Sequence, residues 1–234
     1  MSRVPPDLGR EAASAAAPTG AQQMLRLHLG CGERYLEGYV NVDFPPETQA
    51  MMDTSRADVH ADITELSYEP GSVQEVRLHH VFEHFDRPTA LRLLLDWYDW
   101  LIPGGLLVIE TPDFERCARV FFKPWRRKRR GVLLRHVFGS HEASWAVHQD
   151  GWYEAKFRRD LGALGYERLT FSRARWRDTH NITVTARRSA ADLDRSTREG
   201  AAVMLLRESL VDEGETELRL LGVWEGAMRR ARKG

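Results

Sequence analysis

The middle of the chain alternates strand patterns with a helical pattern, which predicts an α/β fold. Leu25–Leu29 alternates leucines with polar residues, as a strand does. A helix follows Asp86, a suitable N-cap, and carries an apolar stripe from Leu91 to Leu101. Strands that alternate with helices favour a mostly parallel sheet covered on both faces, a three-layer sandwich. Other strand patterns lie at Tyr39–Asp43, Val59–His60, Val76–Leu78 and Leu106–Thr111.

The C-terminal part of the chain predicts two more strands and three helices. A helix from about Gly151 to Leu164 is followed by a glycine, which suits a helix end. Two alternating segments, 167–172 and 181–186, then predict a terminal antiparallel pair. The last roughly forty residues predict two amphipathic helices broken at Asp212–Gly214. We expect this helical C-terminal extension to dock on the preceding domain.

The connection between the first two strands is unusually short. About nine residues separate them, whereas a parallel crossover with its helix usually takes about a dozen or more. Either the crossover helix shrinks to about one turn, or the two strands are not parallel neighbours. We expect the shortened crossover.

Length and composition narrow the classes of function. The 234 residues suit one α/β domain, with a disordered tail over 1–22, the domain over 23–190 and the helical extension over 191–234. Lys+Arg and Asp+Glu both number 34, and this net neutrality argues against a dedicated nucleic-acid binder. Two cysteines cannot form a disulfide framework, which indicates a reducing, cytoplasmic location. No run approaches the roughly 18 apolar residues of a membrane helix, so we expect no transmembrane segment.

The turn after the first strand is a candidate cofactor site. Gly30-Cys31-Gly32 would lie at the carboxyl edge of the sheet, where open α/β folds bind ligands. Asp43 ends the next strand and could accept hydrogen bonds from ribose hydroxyls, or it could be a turn-forming residue before Pro45-Pro46. The third glycine of the dinucleotide-binding pattern is replaced by Tyr35, and Glu33 would repel a phosphate. A cofactor with a ribose and no phosphate fits better, and S-adenosylmethionine (SAM) matches that description.

Five motifs, in order along the chain, resemble the signature of class I SAM-dependent methyltransferases. They are LHLGCG at 27–32, GYVNVD at 38–43, HVFEH at 80–84, LIPGG at 101–105 and TPD at 111–113. Over about residues 24–187, the chain is most similar to a methyltransferase type 11-like branch with a shortened first crossover, often linked to glycan and surface-polysaccharide biosynthesis. This resemblance implies a Rossmann-like fold whose seven-stranded sheet has an antiparallel last strand. It also implies that residues 23–190 form a methyltransferase domain.

The resemblance implies roles for individual residues. Gly30-Cys31-Gly32 would line the methionine part of SAM, and Asp43 would bind the ribose hydroxyls. Asp62 would accept a hydrogen bond from the adenine amine, and Ile63 would pack on the adenine ring. His79 would lie near the sulfonium end of the cofactor. An N-cap role for Asp62 is the alternative, and the two roles can coexist.

Methyl transfer from a sulfonium is an in-line displacement that needs positioning and, for a hydroxyl or amine acceptor, a base. Histidine suits the base, and His80 and His148 are the candidate catalytic residues, with oxygen as the expected acceptor atom. His80, Glu83 and His84 are spaced i, i+3 and i+4, so they would share one face of a helical turn. These three could hold a divalent metal, but we favour loop-fixing hydrogen bonds and expect no metal.

A basic run, Lys123 and Arg126–Arg130, follows the fifth strand. A solvated helix face is the simplest interpretation, and the alternatives are a rim that binds an anionic acceptor or a contact with RNA or a membrane surface. We expect a cytoplasmic SAM-dependent methyltransferase that acts on a small-molecule or glycan-type acceptor. Two alternatives stay open: an RNA methyltransferase that uses Arg126–Arg130, and a non-catalytic module that binds SAM or a partner. The C-terminal helices could form a homodimer contact or a lid.

Overall fold

The computed structural model describes residues 24–45, 55–123, 129–177, 179–191 and 193–229. The predicted tail and residues 126–128 of the basic run lie outside the described residues. None of the helices in the described ranges is long and apolar enough to cross a bilayer.

The core of the molecule is a seven-stranded sheet with the order β3-β2-β1-β4-β5-β7-β6. All neighbouring strands are parallel except β7, which is antiparallel to both β5 and β6. The expected mostly parallel sheet with an antiparallel last strand is therefore confirmed. The strands are β1 Leu25–Leu29, β2 Val40–Asp43, β3 Val59–His60, β4 Val73–His79, β5 Leu101–Pro112, β6 Tyr166–Trp176 and β7 Thr179–Arg188.

Six α-helices accompany the sheet in the described residues. Asp86 caps α1 by accepting a hydrogen bond from the Thr89 backbone N–H at 2.8 Å, as its place in the sequence predicts. The fourth helix begins at Glu154, later than expected, because Trp152 is held extended in a bridge to Asp113. The helices are α1 Arg87–Trp100, α2 Phe114–Phe121, α3 Arg130–Phe138, α4 Glu154–Ala163, α5 Arg195–Arg207 and α6 Glu215–Met228.

The shortened first crossover is confirmed, and a buried asparagine closes it. Strands β1 and β2 are parallel neighbours, and the described residues 30–39 between them form turns and no helix. The Asn41 side chain accepts a hydrogen bond from the Leu36 backbone N–H at 2.9 Å and donates to the Leu36 carbonyl at 3.0 Å. A fully buried amide thereby satisfies loop backbone groups that a crossover helix would otherwise pair internally.

The two C-terminal helices pack on α1, as expected for a docked extension. Arg198 of α5 is buried against α1, where its guanidinium lies 4.2 Å from the centre of the Tyr98 ring. The same guanidinium donates a 2.5 Å hydrogen bond to the Asp99 carboxylate. Because Arg198 is buried with a paired carboxylate and an aromatic ring on α1, α5 packs against the same domain as the sheet. The domain boundary at residues 190 and 191 stays a prediction.

Candidate active site

The carboxyl ends of the parallel strands bring the predicted glycine turn and Asp43 together. The backbone N–H groups of Gly30 and Cys31 donate to the Val42 carbonyl at 2.8 and 3.1 Å. The Gly32 N–H donates to the Asp43 carboxylate at 2.5 Å. The end of β2 is therefore bonded to each residue of the turn that follows β1.

Glycine is required at Gly30 by both backbone conformation and space. Its φ of +68° is rarely adopted by other residues, and a Cβ would lie 2.2 Å from a methyl group of Val81. Gly32 also has a positive φ, of +54°, but a Cβ there would meet nothing within 4 Å. Gly30 thus lets the turn pack against the segment after β4, while Gly32 leaves open space beside Asp43.

Asp43 is nearly buried, and both of its carboxylate oxygens accept backbone hydrogen bonds. Besides the bond from Gly32, the Phe44 N–H donates to it at 2.7 Å, as in the turn-forming role considered above. A carboxylate offers about four acceptor positions, so these two bonds are compatible with hydrogen bonds to a diol. The turn-forming and ligand-binding roles of Asp43 therefore do not exclude each other.

The segment after β3 lies beside Asp43, with Asp62 in the N-cap role. The Ala61 N–H donates to the Asp43 carbonyl at 2.9 Å, which brings Asp62 and Ile63 to the same edge. Asp62 accepts hydrogen bonds from the backbone and hydroxyl groups of Thr64, both at 2.8 Å. Ile63 is only 7% exposed and belongs to the hydrophobic core, which leaves little of its surface for an adenine ring.

Cys31 is a buried free thiol beside this edge. Burial and the nearby negative charge of Asp43 raise its pKa to about 12. The side chain therefore stays protonated at neutral pH and is unsuited to act as a nucleophile.

A chain of hydrogen-bonded polar side chains, buried at Asn41 and His28, runs across three strands toward the end of β4. Asp58 accepts hydrogen bonds from the backbone and side-chain nitrogens of Asn41, at 2.8 and 3.0 Å. Because the Asn41 side-chain oxygen is an acceptor, His28 Nδ1 donates to it at 3.0 Å, and His28 Nε2 accepts from His79 Nδ1 at 3.1 Å. Burial lowers the pKa of His79 to about 4, with a further contribution from the positive charge of Arg34. His79 is therefore neutral, with its Nε2 unprotonated.

Sequence periodicity does not assign His28 to this set of hydrogen-bonded side chains, because its place in an alternating strand is typical of a solvent-facing residue. In a sheet covered on both faces, however, both sets of side chains are buried. His28 is fully buried, and a polar residue within a strand that is buried on both faces is the signal that could have identified it.

His80, the next residue, lies between two carboxylates. Its Nδ1 is 3.3 Å from Glu83 Oε1, and its Nε2 is 3.2 Å from Glu110 Oε1. Burial opposes protonation of the ring, but hydrogen bonds to Glu110 and Glu83 raise its pKa to about 10. A pKa this high favours the doubly protonated ring at neutral pH, and such a ring is poorly suited to the expected role of a base.

Glu110, at the end of β5, is the partner that sequence inspection missed. The Thr183 hydroxyl of β7 donates to its other oxygen at 3.1 Å. The hydrogen bond to His80 is the main cause that lowers the Glu110 pKa to about 2, against the effect of burial. Its place directly before the TPD motif is the only sequence signal, since the contacts come from strands far along the chain.

His148, the second expected base, lies close to Glu83 and keeps one ring nitrogen unprotonated. A carbonyl can only accept, so Nδ1 donates to the Val137 carbonyl at 3.2 Å and Nε2 is left with a lone pair. His148 Nε2 is 3.9 Å from Glu83 Oε1. Burial lowers the pKa of the ring, and Glu83 opposes that effect. Of the two histidines, His148 has the state that a base needs.

The expected helical face of His80, Glu83 and His84 does not form, because Phe82–His84 is a single 3-10 turn and His80 precedes it with a φ of +56°. Instead, His148 joins Glu83 and His84. One ligand-type atom from each of these three residues lies within 4.8 Å of the other two. The described residues that could hold a cation are therefore Glu83, His84 and His148, without His80.

A basic cavity of about 330 Å³ opens beside the end of β5. Arg173 bonds the buried Asp113 in its wall at 3.3 Å. The two described arginines of the predicted basic run are not among its lining residues, and Arg130 donates to the Phe121 carbonyl at 3.0 Å. The cavity is lined by Asp113, Glu115, Arg116, Arg119, Val120, Lys123 and Arg173.

Comparison with known proteins gives one family match and several structural likenesses. Residues 22–109 match the family model described as a methyltransferase domain. No curated protein matches the chain. Among solved structures it is similar to a possible exported protein from Bordetella parapertussis, at 18% identity and a TM-score of 0.47, over 72% of this chain and 64% of that one.

Two further likenesses are to structures described as methyltransferases. One is a SAM-dependent methyltransferase from Archaeoglobus fulgidus, at 13% identity and a TM-score of 0.46, over 70% of this chain and 87% of that one. The other is human N-acetylserotonin methyltransferase in complex with SAM, at 16% identity and a TM-score of 0.44. That likeness covers 71% of this chain and 48% of the human protein, so the chain spans about half of its length.

Because two carboxylates surround His80, we expect the stability of the wild type relative to His80→Gln to depend on pH. Because the folded-state pKa of about 10 lies above the ordinary value of 6.5, the proton on His80 stabilises the fold fully below pH 6.5. This contribution is lost as the pH rises from 6.5 to 10. We therefore expect His80→Gln to be less stable than the wild type at pH 6, with a gap in unfolding free energy that narrows toward pH 10. Urea unfolding at several pH values measures the gap.

Glu110→Gln provides the internal control, since it removes one of the two carboxylates. In that background the gap should close at lower pH, because the His80 pKa falls. Two results would contradict the assignment of the proton to His80. The difference in unfolding free energy between wild type and His80→Gln could stay constant from pH 6 to 10, or it could vanish below pH 7.

Proposed function

We propose that the chain is a methyltransferase that binds SAM at the carboxyl edge of the sheet. The observation that carries this proposal is the Asp43 carboxylate, held 2.5 Å from the Gly32 N–H. An acid at the end of the second strand, beside a glycine turn, is suited to accept hydrogen bonds from a ribose diol. The family-model match over residues 22–109 includes this turn and Asp43, and it supports the same conclusion.

The other cofactor contacts follow from this position of the ribose. Gly30-Cys31-Gly32 would line the methionine part, where the absence of a Cβ at Gly32 leaves space. Asp62 and Ile63 would flank the adenine, with Asp62 keeping its N-cap bonds and using its remaining acceptor positions. His79 would lie near the sulfonium. Its lowered pKa supports this role, because a neutral ring does not repel the sulfonium charge.

The acceptor is proposed to lose its proton to His148 and to be methylated on oxygen. The sulfonium supplies the leaving group, so the protein has to align the acceptor and remove a proton. His148 presents an unprotonated Nε2 beside Glu83, whose charge would stabilise the imidazolium that forms. His80, whose two ring nitrogens contact Glu83 and Glu110, would hold the Glu83 carboxylate in place beside His148 and would not act as a base.

The basic cavity favours an acceptor with a negative charge. Arg116, Arg119, Lys123 and Arg173 bring four cationic side chains to one cavity, against the two acids Asp113 and Glu115. Guanidinium groups bind phosphate oxygens through paired hydrogen bonds. A nucleotide-sugar or a lipid-linked glycan phosphate, as in polysaccharide biosynthesis, has this chemistry. An RNA acceptor shares the phosphates, but the equal numbers of acidic and basic residues in the chain make it the second choice.

The proposal also includes a cytoplasmic location and a homodimer. Both cysteines are free and buried, which suits the reducing cytoplasm. Apolar side chains of the C-terminal region, including Met204, Val211 and Val223, are more than half exposed. A homodimer through these helices would cover them.

The cofactor proposal predicts that Asp43→Ala loses most of its affinity for S-adenosylhomocysteine, the product form of SAM. Two hydrogen bonds from a diol to a charged group are worth about 3 kcal/mol, so we expect a Kd about 100-fold higher. Isothermal titration calorimetry gives the Kd, and S-adenosylhomocysteine formation with a panel of hydroxyl acceptors gives turnover. Unchanged binding by Asp43→Ala would contradict the cofactor site, and binding of SAM without any turnover would favour the non-catalytic module.

Asp194→Ala is the matched control for lost stability. Asp194 caps α5 through a 2.9 Å bond from the Thr197 N–H, so its loss costs about 1 kcal/mol of stability at a site remote from the glycine turn. We expect this variant to bind S-adenosylhomocysteine as the wild type does, although its Tm is lower. Equal loss of affinity in both variants would mean that Asp43 acts through folding alone.

The acceptor proposal predicts a charge-specific effect of Arg116→Ala. Loss of one guanidinium should raise the KM for a phosphate-bearing acceptor about tenfold, the effect of about 1.4 kcal/mol, and leave a neutral analogue unchanged. Steady-state kinetics with the two acceptors measures this ratio, and Arg219→Ala on the exposed face of α6 is the control. Equal effects of Arg116→Ala on both acceptors would contradict the proposed anionic subsite. A preference for RNA as acceptor, with binding that falls steeply as salt rises, would favour the RNA methyltransferase.

A further inference from the structure

We propose that Glu83, His84 and His148 bind a divalent cation of the zinc class. One carboxylate oxygen and two imidazole nitrogens from these residues lie within 4.8 Å of one another. Glu83 and His84 belong to the 3-10 turn after β4, and His148 comes from the loop before α4. The site rests on its own ligand atoms and does not depend on the proposed methyl transfer.

The two segments that supply the ligands are bonded to each other through Gln149. Its backbone N–H donates to the Glu83 carbonyl at 2.8 Å, and its side-chain amide donates to the His84 carbonyl at 3.0 Å. These bonds set the loop of His148 against the turn of Glu83 and His84. The ligand atoms are therefore brought together by backbone contacts that need no cation.

Both histidines carry their proton on the nitrogen that faces away from the cluster. His84 Nδ1 is 3.2 Å from the Val147 carbonyl, and His148 Nδ1 is 3.2 Å from the Val137 carbonyl. Because a carbonyl only accepts, each Nδ1 donates and each Nε2 keeps a lone pair. A backbone carbonyl that orients a histidine in this way is the usual outer support of a metal-bound imidazole. The two rings meet edge to face, with centres 4.7 Å apart.

Glu83 provides the second, independent observation. Its side chain is 2% exposed, and its Oε2 has no hydrogen-bond partner among the described residues. The other oxygen, Oε1, lies 3.3 Å from His80 and 3.9 Å from His148 Nε2. A buried carboxylate oxygen without a partner is costly, and a bound cation would remove that cost.

The ligand set and its spacing favour zinc over magnesium or calcium. Two imidazoles and one carboxylate with an open fourth position match a zinc site, whereas the two harder cations prefer sites made of oxygen atoms. Bonds of about 2.0–2.1 Å in a tetrahedron place ligand atoms about 3.3 Å apart. Side-chain adjustments of about 1 Å would therefore bring these three atoms onto one ion.

A cation here would change the role proposed for His148. Its Nε2 cannot be both a ligand and a base, so with the cation bound the acceptor would lose its proton by another route. A zinc ion lowers the pKa of a bound water to about 7, and an acceptor hydroxyl bound to it would be acidified in the same sense and would release its proton to solvent water. The bound ion would thus take over from His148 the task of making the acceptor nucleophilic.

The test measures metal binding by the full chain without an affinity tag. Any bound metal is first removed with a chelator, and the chelator is then removed before the titration. Calorimetric titration with Zn²⁺ should show one site per chain, and Mg²⁺ should not compete. Co²⁺ in place of Zn²⁺ should give the intense visible absorption of a tetrahedral site. His84→Gln and His148→Gln should each weaken Zn²⁺ binding at least 100-fold, with Glu83→Gln doing the same if it folds.

His141→Gln is the matched control, because His141 lies in the same loop, is exposed and is outside the cluster. It should bind Zn²⁺ as the wild type does. The proposal is overturned if the metal-free chain binds no Zn²⁺ at about 1 mM, since even a weak site with a Kd of about 1 mM would then be half occupied. It is also overturned if His84→Gln and His141→Gln bind equally. Titration of the same preparations with S-adenosylhomocysteine separates this outcome from failure of the proposed function.

Discussion

One hydrogen bond, from the Gly32 backbone N–H to the Asp43 carboxylate, joins the ends of the first two strands and shapes the edge of the sheet. It can form because the first crossover has no helix in residues 30–39 and because Gly30 and Gly32 adopt positive φ values. A Cβ at Gly30 would meet Val81, so the turn also depends on its packing against the segment after β4. The shape of this edge is therefore a consequence of the backbone path and not of side-chain choice alone.

The two neighbouring histidines after that edge have opposite protonation, although they are adjacent in sequence. His79 faces the buried chain of His28 and Asn41, where burial keeps the ring neutral. His80, with φ of +56°, turns to the other side and lies between Glu83 and Glu110. The end of β4 thus separates a neutral environment around His79 from a charged environment around His80, and under the proposed function the first faces the cofactor and the second the acceptor.

The fold was largely predictable from the sequence, since burial is a periodic property of neighbouring residues. The alternation in Leu25–Leu29 and the apolar stripe of α1 are local patterns, and the structure confirms both. The candidate site was predictable only in part. Asp43 is predictable because it ends a strand pattern, but the protonation of His80 depends on Glu110 and that of His148 on the Val137 carbonyl. Such contacts join distant positions, and no spacing rule along the chain reveals them.

If the Asp43 edge binds the adenosyl group of SAM, a crystal structure with S-adenosylhomocysteine will show it there. Both ribose hydroxyl oxygens should lie within about 2.5–3.2 Å of the Asp43 carboxylate. The adenine should lie beside Asp62 and Ile63, and the sulfur near His79. An adenosyl group bound elsewhere, or bound at this edge with its ribose turned away from Asp43, would overturn the proposed cofactor site.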